Sequence, residues 1–171
     1  MAMIRSIETV DLVSNALPMF ENLKQTLLRI HQSGEPFHPT ILVFASDRIS
    51  DADCIPMPRD PMPIVGQRFG ADFAQDLEDA LKVNPSIHDG AILFQRTQQH
   101  DDYYLSAWSM RIVSRHTPLF SEPNLGSAHN STLSLSMETA VDACCILSPA
   151  KVVFFVDGRA TTLTANSQSQ T

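Results

Sequence analysis

Residues 81–95 read LKVNPSIHDGAILFQ, and they pass from the end of a helix, through a polar corner, into a strand. Upstream, Phe69, Phe73, Leu77, Ala80 and Leu81 recur at helical spacing, which predicts a helix from about Gly70 to Val83. Pro85 ends it, because proline offers no amide hydrogen and clashes with the preceding turn. Ala91 to Gln95 then form a short apolar run of the kind that makes a buried strand. Helix, corner and strand in immediate succession belong to an α/β protein.

Working outward, Ile41 to Ala45 (ILVFA) is continuous, apolar and bounded by Pro39 and Asp47, as a central strand buried on both faces would be. From Ser46 to Pro63 the chain carries four prolines and no period, which predicts an irregular loop. Downstream, Tyr103 to Val113 reads as a strand kinked near Trp108, and a helix is expected to begin between Ser127 and Asn130 and reach about Ala140. Ala143 to Leu147, Lys151 to Val156 and Arg159 to Thr164 read as strands, the last two joined by an Asp157-Gly158 hairpin turn. Near the N-terminus, Val10, Val13, Leu17, Phe20, Leu23, Leu27 and Ile30 mark a helical stripe. Pro18 predicts a break near Asn15 to Leu17, with a longer second helix ending before Gly34. The sum is an α/β fold, a mixed twisted β-sheet flanked by helices, with an N-terminal helical segment over 1–36, the sheet domain over 37–165 and a disordered tail over 166–171.

Bulk properties narrow the partners. The 171 residues suit one core, and 43% apolar against 18% charged side chains is a globular balance. Nineteen acidic against 12 basic residues leave a net charge of −7, which repels a DNA or RNA duplex but not a single nucleotide held by local donors. No apolar run is long enough for a membrane span and no signal-type leader opens the chain, so a cytoplasmic protein is expected. Adjacent Cys144 and Cys145 would point to opposite faces of a strand, which favours core packing over a disulfide or a zinc site.

Two stretches carry chemistry. His88-Asp89-Gly90-Ala91 places a carboxylate and a glycine at a strand edge, where they can hold a divalent cation or a ribose hydroxyl, or simply make an Asp-Gly turn. Leu125 to Thr132 (LGSAHNST) gathers small and hydroxylated residues before a helix, where unpaired amides favour phosphate; a plain helix cap fits as well. His100-Asp101-Asp102 and Asp51 to Cys54 read as solvated turns. No P-loop, G-x-G-x-x-G or G-x-S-x-G pattern is present.

Taken in order, these stretches resemble the diadenylate cyclase domain of the DisA N-terminal type, over roughly Pro39 to Thr164. NPSIHDGAILF is similar to the family segment ending in D-G-A, LGSAHNSTLSLS to its G-T-R-H-R-A-A-L-G motif, and METAVDACCILS to its E-x-T-D-A followed by a strand. Active members join two ATP molecules into cyclic di-AMP with two domains face to face, so the resemblance implies a nucleotide ligand, Mg2+ or Mn2+, and a homo-oligomer. It assigns catalytic roles to Asp89, also the metal ligand, and to His129; His88, Gly90, Ala91, Gly126, Ser127, Asn130 and Ser131 would bind the nucleotide.

Both motif arginines are missing, Ala128 and Asn130 standing in their places, and the acidic residues expected after the strand give way to Ser148-Pro149-Ala150. A methyl and an amide cannot replace two permanent bidentate charges on a triphosphate. Arg96, Arg111 or Arg115 would have to compensate, and Glu138 and Asp142 are the remaining nearby carboxylates. The resemblance therefore implies a degenerate domain that binds a nucleotide or related small ligand in a sensory or regulatory role. An active cyclase and a ligand-free interaction domain are the alternatives.

Overall fold

The computed structural model describes residues 9–34, 38–97, 102–119 and 121–165, with side chains from Phe20 onward. In chain order the elements are α1 (Thr9–Gln32), β1 (Thr40–Ala45), β2 (Cys54–Pro56), α2 (Phe73–Val83), a 3-10 turn (Pro85–His88), β3 (Ala91–Gln95), β4 (Tyr104–Ile112), α3 (Ser127–Leu135), β5 (Val141–Leu147), β6 (Val152–Val156) and β7 (Arg159–Leu163).

All seven strands join one sheet in the order β2-β4-β3-β1-β5-β6-β7, which puts the ILVFA strand at its centre. β1 and β3 run parallel, with Ile41 opposite Ala91, and the other pairs are antiparallel, so the sheet is mixed. The parallel pair needs a crossover, and α2 supplies it.

Strand alternation divides the core into two layers. Leu42, Phe44, Ile92, Phe94 and Cys145 face α1 and α2, where Leu23, Leu27, Ile30, Phe73 and Leu77 cover them. Val43, Ala45, Leu93 and Cys144 face the other way, toward Leu133 and Leu135 of α3. The two adjacent cysteines thus lie on opposite faces, both fully buried and free. Phe44 is a hub of the first layer, its ring centroid 4.9 Å from Phe69, 5.1 Å from Tyr103 and 5.5 Å from Phe94. Such contacts add to the free energy of burial itself.

Four local expectations are refined. The backbone of α1 runs through Pro18 without a break, since proline removes one ladder hydrogen bond and the remaining turns of a 24-residue helix persist around it. The loop from Ser46 to Pro63 contains β2, an edge strand ending at Pro56, a position where the missing amide hydrogen costs no ladder bond. α3 stops at Leu135, well before Ala140, because the hairpin tip docks on its end: Asp157 N–H donates to the Ser136 carbonyl at 3.1 Å and Gly158 N–H to Ser136 Oγ at 3.1 Å. The kink in β4 is a register shift against β3, with Ser109 at φ 56° beside Trp108. The Asp157-Gly158 turn has φ of 47° and 70°, the double left-handed geometry that a two-residue hairpin needs. The expected tail over 166–171 lies outside the described residues.

Candidate functional site

The first corner is built around Ser109. Its hydroxyl, on a fully buried residue, donates to the Asp89 carbonyl at 2.7 Å and accepts from Arg59 Nε at 2.9 Å, so the β4 bulge anchors both the strand entry and the loop before it. The Asp89 carboxylate is 63% exposed and faces Arg59 Nη2 at 3.7 Å and His88 Nε2 at 3.3 Å, while His88 Nδ1 meets the Pro85 carbonyl at 2.6 Å.

Gly90 serves a purpose other than ligand approach. At φ +89°, a Cβ on it would lie 2.5 Å from Met57 Cε and 2.7 Å from the Met110 carbonyl oxygen, so the glycine is required by protein packing on its open side. Ala91 is 1% exposed and belongs to the core. As for the implied Mg2+ or Mn2+, Asp89 offers one carboxylate already facing a guanidinium, and no group of three ligating side chains forms around it among the described residues. That donor set does not fit a resident hard cation, which wants several oxygens.

The second corner lies at the start of α3. Gly126 is the extended residue before the helix, with no side-chain cap on the first-turn amides. Asn130 Nδ2 donates to the Leu125 carbonyl at 3.1 Å and Ser131 Oγ to the Ser127 carbonyl at 2.8 Å, which fixes the loop and the first turn. His129 stands on β6, edge-on to Phe155 at 4.9 Å between centroids. Burial holds its pKa below the ordinary histidine value, the Lys151 charge adds to that, and Glu122 opposes it.

α3 covers β6 but leaves the edge strand β7 exposed. Ala160 and Thr162 of β7 therefore floor a groove of about 630 Å³, with His129, Glu122, Lys151 and Arg159 around it. Arg96, Arg111 and Arg115 do not line it. Arg96 is committed elsewhere: its Nε donates to Asp142 Oδ2 at 2.8 Å, its Nη2 to Oδ1 at 3.3 Å, and the Tyr103 hydroxyl adds a 2.8 Å bond to Oδ2. Asp142 is thereby taken up by an ion pair. Burial, followed by the Asp142 charge, pushes the Tyr103 phenol well above its usual value.

The two corners stay apart. β3, which Asp89 precedes by two residues, is separated from β6, beneath His129, by β1 and β5, a lateral step of three strand spacings or roughly 14 Å. His88, Asp89, Gly90 and Ala91 cluster at one place, and Gly126, Ser127, His129, Asn130 and Ser131 at another. Sequence reasoning passed over Arg59, Lys151 and Arg159, whose charges reach the corners from neighbouring loops and a hairpin. Asp53, expected in a solvated turn, instead converges with Glu138 and His116, all three ligating atoms within 4.8 Å of one another. Burial and then the Glu138 charge raise the Asp53 carboxyl above its ordinary value.

No family model and no curated protein sequence matches the chain. Solved structures do share its fold. A hypothetical membrane-spanning protein from Bacillus cereus superposes with a TM-score of 0.56 at 14% identity, over 84% of this chain and 62% of that one. This chain thus spans less than two thirds of that protein's length. DacA from Staphylococcus aureus, a diadenylate cyclase, superposes with a TM-score of 0.50 at 14% identity, over 90% of this chain and 91% of its own. The shared property is the fold, which is of the diadenylate cyclase type. Among the described residues no helix is long and apolar enough to cross a membrane.

Proposed function

We propose that this domain binds a nucleotide or a related anionic small molecule in the groove between α3 and the β6–β7 hairpin, in a sensory or regulatory role. The observation that carries this reading is the company of His129: Lys151 and Arg159 bring two cations, against the one carboxylate of Glu122, to a groove beside an uncapped helix start, in a chain whose net charge is −7. Cations and unpaired amides around one concavity favour phosphate-type anions. Val153 and Ala160 in its lining add apolar surface suited to a flat base or similar ring.

Lys151 and Arg159 take the place of the absent motif arginines as charge donors, from a different element and therefore with a different geometry. Such a rearranged set holds a ligand more readily than it catalyses phosphoryl transfer, which depends on positioning two reacting groups in line. Mg2+ or Mn2+ would enter with the ligand's phosphates, with no resident site at Asp89. A thermal-shift panel of ATP, ADP and cyclic di-AMP, with and without Mn2+, tests the reading: stabilisation by at least one of them is expected, and uniform silence would oppose it.

A further inference from the structure

We propose that Asp53, His116 and Glu138 form a binding site for a divalent transition-metal ion, distinct from the groove at His129. Three separate segments supply the ligands: Asp53 just before β2, His116 on the stretch after β4, and Glu138 in the turn between α3 and β5. Each is held by a hydrogen bond to its backbone carbonyl that does not involve the ligating atoms. Val113 N–H donates to the Asp53 carbonyl at 2.8 Å, Ser134 Oγ donates to the His116 carbonyl at 2.9 Å, and Val141 N–H donates to the Glu138 carbonyl at 3.0 Å. The site is therefore built from three loop segments, each tied by these bonds close to a strand or helix end.

The chemistry of the donors selects the ion. One imidazole and two carboxylates make a borderline set that suits zinc and its first-row neighbours better than magnesium or calcium. The Asp53 and Glu138 carboxylates lie within 4.8 Å of each other, and the His116 ring meets the Glu138 carboxylate. A cation among them relieves the repulsion between the two acids. A tetrahedral ion with bonds of about 2.0–2.2 Å holds its ligands roughly 3.4 Å apart; the three ligating atoms already lie within 4.8 Å of one another, so small side-chain rotations that open the His116–Glu138 contact admit the ion.

His116 also lines a groove of about 540 Å³ that includes Ser114, Asn130 and Ser131. Three protein ligands beside a groove leave a coordination position open toward it, for water or for an oxygen ligand.

The test uses the tag-free, chelator-treated chain with Zn2+ and Co2+. Zn2+ at a hundredfold excess over its dissociation constant should raise Tm by roughly 5–10 °C, whereas Mg2+ should not. Co2+ should give the visible absorption of a low-symmetry nitrogen–oxygen site. His116→Gln changes a side chain that is 43% exposed, so folding should survive, while Zn2+ affinity falls at least tenfold; Glu138→Gln should do the same. A wild-type chain with no Zn2+ shift and no Co2+ absorption, or variants that respond as wild type does, would overturn the proposal and leave a metal-free hydrogen-bonded triad.

Discussion

His129 stands edge-on against Phe155, 4.9 Å between ring centroids, with Lys151 beside it in the same groove. Burial, with that cation, lowers its pKa, and the sign of two pH effects follows. A histidine whose folded-state pKa is depressed contributes stability that is present above its unfolded value near 6.5 and is lost as pH falls through the folded value. A bound anion reverses the preference by favouring the imidazolium. Binding of sulfate or a phosphodiester, whose own charges stay constant, should thus tighten from about pH 8 to about pH 6 and take up a proton. Calorimetry in buffers of different ionisation enthalpy reads that proton, and His129→Gln should abolish the uptake.

Gly90→Ala should cost about 2–4 kcal/mol in urea unfolding, because the φ of +89° disfavours any side chain and the new Cβ would stand 2.7 Å from a backbone oxygen. Gly126→Ala should cost under about 1 kcal/mol, since nothing lies within 4 Å of the added carbon. Equal costs would contradict the packing role assigned to Gly90.

Asp142→Ala should destabilise the fold by about 3 kcal/mol. It strands Arg96, only 20% exposed, and removes the acceptor of the Tyr103 hydroxyl. Chemical denaturation measures the loss. A neutral result would mean that solvent readily takes over the guanidinium.

Cys144 and Cys145 should be inert to a thiol reagent in the folded protein and react together on unfolding. Both are fully buried, and burial raises both thiol pKa values far above the ordinary one. Stopped-flow labelling in native buffer and in denaturant separates the two states.

Incubation with ATP and Mn2+ should yield no cyclic di-AMP detectable by mass spectrometry. Ala128 and Asn130 supply no charge to a triphosphate, and Arg96 is held by Asp142 rather than free to replace the motif arginines. Product that disappears in Asp89→Ala would reverse the preference for a binder over an enzyme.

Much of this fold is written locally. ILVFA and AILFQ make the central parallel pair because unbroken apolar runs demand burial on both faces, and Asp157-Gly158 specifies its own turn. β2 was illegible because a three-residue edge strand ending in proline has no period of its own. The end of α3 was equally hidden, being imposed by the hairpin tip on Ser136. At the site, LGSAHNST marked the helix start from its composition, whereas Lys151 and Arg159 reach the groove only through the β6–β7 hairpin, and Asp53, His116 and Glu138 meet only through tertiary structure. Contacts between distant segments leave no spacing to read.

The most direct test of an anion-binding groove is a calorimetric titration of the protein with ATP and with cyclic di-AMP, repeated on Lys151→Ala and Arg159→Ala. Saturable binding of at least one ligand, weakened about tenfold or more by each substitution, is the predicted result. Absence of heat with both ligands, or binding that both variants retain in full, would contradict it.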